Sequence, residues 1–273
     1  MVLGLPLLSC SGDGIRKAGA DDRVGLTRPS TPHTGADADV GTTVVAAATS
    51  PAAPVAAPVA CPAGMLLVQG DYCSEVEHVC KKWLDPGGRY HLFRCAEYVA
   101  PATCKGKRVS MSYCIDQDEQ RLDPALKSDD PRPENHVSFL EAKASCERRS
   151  AHLCSNEEWQ FACEGEEMRP YPYGFVRDAK ACNIDRSELG KAVGRLHDFR
   201  TAQGENPACT SPFGVRDMAG NLEEWAVARP GSHTHSTVLK GSWWLPGKST
   251  CRATNAGHDA VYEGTETGFR CCH

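Results

Sequence analysis

Fifteen cysteines are the residues with the most chemistry to offer in this 273-residue chain. None of them forms a C-x-x-C pair, which argues against zinc ribbons and for disulfides, and so for export from the reducing cytosol. The alternative, free thiols buried in a core, sits poorly with so many cysteines in an exported chain. Other apparent motifs fail on inspection. Gly247-Lys248-Ser249 looks like the end of a phosphate-binding loop, but the glycine required five residues earlier is Ser242. His233 and His235 stand in a polar stretch without carboxylate neighbours and read as solvated. Neither G-x-S-x-G nor H-E-x-x-H occurs. The net charge of −5 comes with no basic stripe of the kind nucleic acid requires. No run of about eighteen apolar residues exists to span a membrane.

The elements that must position these residues have readable start signals. Ser138 with Glu141, and Ser155 with Glu158, form S-x-x-E capping boxes, predicting helices over about 139–149 and 156–164. Phe139, Ala142 and Cys146 follow helical spacing on the first, and Trp159, Ala162 and Cys163 on the second, so each helix turns a cysteine to the core. GMLLV (64–68) and RVSMSYCI (108–115) read as strands, while EVEHVCKKWLDPGGRYHLF between them has no clean period. Cys61, Cys73, Cys80, Cys95, Cys104 and Cys114 make residues 61–114 a disulfide-stapled elaboration whose pairing the sequence does not choose. From 168 onward, Gly, Pro and polar clusters mark turns, with short strands about 238–243 and 267–272. So little regular structure is reasonable where disulfides or bound ions hold the loops. Trp225, Trp243 and Trp244 read as core or pocket wall rather than a stacking platform.

Six strings, taken in order, carry a resemblance: GMLLVQGDY (64–72), YCIDQDE (113–119), HVSFLEAKASCERRSAHLCSNEEWQFAC (136–163), DMAGNLEEW (217–225), LKGSWW (239–244) and TGFRCC (267–272). Together they resemble the formylglycine-generating enzyme, or sulfatase-modifying factor, family. Its members show an RLPTEAEWEYA-like helix, then GLYDMAGNVWEW, RGGSW and a final GFR. The resemblance covers most of residues 61 to 273. It implies an α+β fold related to C-type lectin-like domains, disulfide-rich and low in regular structure, with two helices packed on short antiparallel strands.

The resemblance also implies particular partners. Cys146 is expected to join Cys271, and Cys163 to join Cys251, which lies two residues before the family's position but on the same strand face. Adjacent Cys271 and Cys272 point to opposite faces, so Cys272 needs another partner, and Cys154 is available. Cys182 and Cys209 bracket one loop and could close it. In the family, DMAGNLEEW binds calcium; carried over, the ligands are the carboxylates of Asp217 and Glu224 and the carbonyls of Gly220 and Leu222. Hard oxygen donors alternating through a tight glycine turn suit that ion. The alternative is a turn in which Asp217 and Asn221 hydrogen-bond backbone amides. A second family calcium site would begin at Asn183 and Ile184 and draw on Asp198 in His197-Asp198-Phe199.

At the catalytic position the chain departs from the pattern. Formylglycine-generating enzymes hold Cu(I) between two cysteines after GGS, because soft thiolates select that ion. Here the first position is Leu245 and the second falls near Ser249 or Thr250, while Cys251 is better used as a disulfide partner. The tryptophan before the loop glutamate is replaced by Glu223. Neither copper nor its oxidase reaction is therefore expected. Nor is iron, since no H-x3-H-x-E motif exists. Ser242, Trp243, Glu223, Arg252 and Arg270 are the candidate pocket residues.

The N-terminus suggests an address. MVLGLPLLSC has the form of a lipoprotein signal ending at a lipidated Cys10, although its positive region is missing and its apolar stretch is short. Setting Cys10 aside leaves fourteen cysteines, an even number. An ordinary secretory peptide fragment is the alternative. Residues 11–60, ending in PAAPVAAPVA, read as a disordered tether; such a tail needs no anchor to be disordered. The expected protein is exported and lipid-anchored in a bacterial envelope, periplasmic or at the cell surface, and meets the membrane through that lipid alone.

Two functions follow. One is a calcium-stabilised binding or structural module whose irregular loops present a surface to a protein, peptide or glycan. The other is an oxidoreductase of the formylglycine-generating type acting on a peptidyl cysteine or a related thiol or amine, which requires a reactive thiol pair. A third, plainer reading keeps the fold for stability only.

Overall fold

The computed structural model describes residues 60–87, 91–123, 129–186 and 197–273. Cys10, and all but the last residue of the expected tether, lie outside them. Among the described residues, two four-stranded sheets and two helices make the fold. In the first sheet, β1 (Met65–Cys73) pairs antiparallel with β6 (Arg108–Asp116) from Met65 opposite Asp116 to Cys73 opposite Arg108. Between them in sequence run two small ribbons: β2 (Val76–Glu77) with β5 (Thr103–Cys104), and β3 (Cys80–Trp83) with β4 (Cys95–Tyr98). These are the aperiodic cysteine-rich stretch, held by Cys61–Cys114, Cys73–Cys104 and Cys80–Cys95.

The capping boxes place both helices. In α1 (Phe139–Arg148) Ser138 N donates to Glu141 Oε2 at 2.9 Å, and Glu141 N donates back to Ser138 Oγ at 3.3 Å. After β7 (His152–Leu153), Ser155 and Glu158 repeat the device for α2 (Asn156–Glu164), which ends at Gly165 with φ 64°. Cys146 and Cys163 both face the core, as the helical spacing requires. Among the described residues no helix is long and apolar enough to cross a membrane.

The second sheet is built from β8 (Glu223–Val227), β9 (Thr237–Lys240), β10 (Thr254–Asn255) and β11 (Thr267–Phe269), in the order β10-β9-β8-β11. One pair departs from the antiparallel expectation: β11 runs parallel to β8, with Thr267 opposite Glu223. The single strand expected over 267–272 is in fact divided. β12 (Cys271–Cys272) leaves for the first sheet, where it lies between β6 and β7. Trp159 and Phe161 of α2 pack with Val68, Ile115 and Val238, while Phe139 of α1 packs with Trp225, Leu239 and Phe269. Cys146–Cys271, Cys154–Cys272 and Cys163–Cys251, with Cα separations of 5.4, 4.9 and 5.4 Å, tie the helical segment to the C-terminal strands. Cys182–Cys209 closes its loop at 4.7 Å. The adjacent cysteines of β12 thus take partners on opposite faces.

Candidate functional site

The loop before β8 turns through three left-handed residues, Asp217 (φ 56°), Gly220 (φ 84°) and Asn221 (φ 57°). Gly220 is required twice over, since a Cβ there would also lie 2.3 Å from the Asn183 carbonyl oxygen. Asn221 ties the loop to distant segments: Nδ2 donates to Glu119, and Oδ1 accepts from Asn183 Nδ2 at 3.0 Å and Thr201 N at 2.8 Å. Leu222 N donates to Glu119 Oε1 at 3.0 Å. Glu119, more than 90 residues upstream, was not among the expected ligands, yet it organises the loop.

Glu119, Asp217 and Glu224 are all buried. Of the three, Glu224 is saturated: Arg270 donates to its two oxygens from Nε and Nη2, both at 2.6 Å, and Trp159 Nε1 donates at 2.8 Å. Asp217 has a neutral donor, Asn206 Nδ2, at 3.2 Å. Burial pushes its carboxyl up to about 7, against the lowering effects of Asn206 and Arg270. Glu119 is raised in the same direction by burial and by the charges of Glu224 and Asp217. Both oxygens of Glu224 are thus occupied by charged or polar donors, whereas Asp217 is bonded to the neutral Asn206. In the expected second set, Asn183 Nδ2 donates to the carbonyl of Phe199, the residue after Asp198, at 2.7 Å. Arg186 Nε donates to Asn183 Oδ1 at 3.1 Å, while Asp198 is paired with Arg200 at 2.7 Å and Arg132 at 3.0 Å. Asn183 and Asp198 thus both have guanidinium partners.

A groove runs beside β9 and β10. One part, about 360 Å³, is lined by Glu223, Ser242, Trp243, Lys248, Thr254 and Asn255. Its neighbour, about 420 Å³, is walled by His78, Trp83 and Tyr98 of the stapled ribbons and by Arg252; Phe93, Lys248 and Thr254 line both. Ser242 and Ser249 hold positive φ of 64° and 44°, so the segment between β9 and β10 is locally strained. Glu223 accepts from Asn255 Nδ2 at 3.2 Å, and burial, with the nearby charge of Glu266, raises its carboxyl to about 7. Arg252 is clamped by both oxygens of Glu164 at 2.6 and 2.7 Å. Arg270 is a correction: it is fully buried on Glu224 and three backbone carbonyls, and lines no part of the groove.

Residues 77–273 match the sulfatase-modifying factor enzyme 1-like domain. The chain belongs to that family. "Inactive C-alpha-formylglycine-generating enzyme 2" of Bos taurus is 28% identical over 151 residues, and its Mus musculus counterpart 29% over 152. The chain spans about half the length of these curated relatives, 49% and 48%, with 51% of its own length. The solved structure of CarF has a TM-score of 0.52 at 14% identity, covering 77% of this chain and 98% of that one, and supports the fold alone.

Against the sulfatase-modifying factor pattern, the thiol positions are filled otherwise. Leu245 lines no thiolate pair, Ser249 and Thr250 are buried, and Cys251 is bridged to Cys163. All fourteen cysteines among the described residues are in disulfides. Ser242, Trp243 and Glu223 line the first part of the groove, and Arg252 lines the second. The aromatic wall from the stapled ribbons, and Lys240 beneath Thr254, were missed. Lys240 left a trace, since LKGSWW puts a lysine where RGGSW has its first glycine.

Proposed function

We propose that this chain is a divergent sulfatase-modifying factor module that binds a peptide or glycan in the groove between the stapled ribbons and β10, without copper-dependent oxidation. The observation that carries the reading is the Cys163–Cys251 bridge, with Leu245 in place of the first thiol. Cu(I) needs soft thiolates, and the groove offers none. It offers aromatic faces beside amide, hydroxyl and carboxyl groups, the mixture that recognises extended polar ligands. Both curated relatives are named inactive. The reading includes export with a lipid at Cys10, supported by the density of disulfides, and a calcium ion beside Asp217, supported by its uncompensated burial. No step is assigned to that ion beyond holding the loop.

The test is incubation of reduced, copper-loaded protein with a CxPxR peptide in air, followed by mass spectrometry. The expected peptide is unchanged. Exchange of its thiol for an aldehyde would replace this reading with the oxidoreductase one.

A further inference from the structure

Lys240 is the buried titratable group that neither the loop nor the groove explains. It lies on β9 between Glu224 of β8 and Thr254 of β10, its register partners on either side. The side chain is fully buried over the indole of Trp159, with Nζ 5.6 Å from the ring centroid. Burying an ammonium is costly unless a carboxylate pairs with it. The two buried carboxylates on this side are taken, Glu164 by Arg252 and Glu224 by Arg270. Among the described residues no salt bridge reaches Nζ. Its hydrogen-bond partner is Thr254 Oγ1, at 2.7 Å. Burial therefore lowers the amine to about 7; Arg252 lowers it further, and Glu164 and Glu157 of α2 oppose. A substantial share of the amine is neutral at neutral pH and can accept a proton.

Thr254 is the other half of the arrangement. It is exposed, and it lines both parts of the groove. A groove-lining threonine whose hydroxyl lies 2.7 Å from a buried amine fixed by packing, with only a long 3.4 Å contact to the Arg252 carbonyl besides, has the geometry of a nucleophile and its base.

We propose that Thr254 and Lys240 form a nucleophile–base dyad that cleaves a carboxylic ester of a ligand lying in the groove. Thr254 Oγ1 attacks the acyl carbon, and its proton passes to Lys240 Nζ. The tetrahedral adduct collapses, the bond to the alkoxy oxygen breaks, and that oxygen leaves with the proton from Nζ. Water repeats the sequence on acyl-Thr254: its proton goes to Nζ, the carboxylic acid departs, and the proton returns to Oγ1. No oxidant or metal enters the balance. The proposal rests on the groove admitting a ligand, not on the fate of the copper reaction, so the two tests fail independently.

The experiment treats the oxidised full chain with p-nitrophenyl acetate, following nitrophenolate release and locating acetyl groups by peptide mass spectrometry. Acetylation is expected at Thr254, absent in Thr254→Val and retained in Thr254→Ser. In Lys240→Met the rate is expected to fall about a hundredfold, the usual scale for loss of a general base. Thr254→Val takes the hydrogen bond from the buried amine and is expected to melt below the wild type, whereas Thr254→Ser keeps that bond; the two variants together carry the test even if Lys240→Met fails to fold. A wild-type protein without acetyl on Thr254, or a folded Lys240→Met variant acylated at the wild-type rate, overturns the proposal.

Discussion

Arg270 reaches both oxygens of Glu224 at 2.6 Å, and neither side chain is exposed. The pair stands where the chain leaves β11 for β12, and the guanidinium also donates to the carbonyls of Asp116 and Arg216 at 3.1 and 2.9 Å. One residue thereby fastens the corner between the two sheets to the carboxylate on β8. Removing one partner leaves a buried charge unpaired, which typically costs about 3–5 kcal/mol. Arg270→Met and Glu224→Gln should each lower the unfolding free energy by an amount of that order in denaturant titrations. A change within the ordinary surface range of about 0.5 kcal/mol would show that the pair fastens nothing.

The disulfides divide into two mechanical groups. Cys146–Cys271 closes a separation of 125 residues and Cys80–Cys95 one of 15. In the chain-entropy description, the longer loop contributes about 4–5 kcal/mol and the shorter about 3. Paired alanine substitution at Cys146 and Cys271 should therefore cost the whole domain more stability than the same change at Cys80 and Cys95. The latter should instead speed amide exchange in 80–98, the ribbon that walls the groove. Equal melting shifts with unchanged exchange in the ribbon would refute this division.

The local features were legible because their signals are local. A serine three residues before a glutamate, followed by helical spacing, located α1 and α2 to within a residue or so. The cysteine count and the family strings led to the core bridges. GFRCC misled because alternation reports which face a residue takes, not which of two sheets it joins; the break at Arg270 is set by a glutamate on β8. That burial also removed Arg270 from the expected pocket. Glu119 was invisible as a loop organiser because its partners, Asn221 and Leu222, lie 102 and 103 residues away in sequence. The groove wall was missed for a similar reason: the stapled ribbons have no period to read.

Glu223 stands where the family strings have tryptophan, and burial has raised it to about 7. Ligands that accept a hydrogen bond should bind best when this carboxyl is protonated, and cationic ones when it is ionised. Glu223→Gln should flatten the dependence of binding on pH between about 6 and 8 for any ligand captured by the groove. Isothermal titration across that range checks it; an unchanged slope places the ligand away from Glu223.

Asp217 supplies a prediction with a definite sign. Its carboxyl moves from an ordinary 3.8 to about 7 in the fold because burial penalises the charged form. The native state then holds the proton more tightly than the unfolded chain, so stability from this group is fully present below 3.8 and is lost as pH rises through about 7. Carboxylates held low by arginines, such as Asp198 on Arg200, act in the opposite sense, so the informative quantity is the difference between wild type and Asp217→Asn. In chelator, the wild type should lose stability relative to Asp217→Asn as pH rises from about 4 to about 7. Calcium should reverse that loss, because an ion beside the carboxylate replaces the proton as its counter-charge. If calcium leaves the melting temperature of the wild type unchanged at pH above 7, or raises that of Asp217→Asn equally, the loop is held by Asn206, Asn221 and Glu119 without an ion.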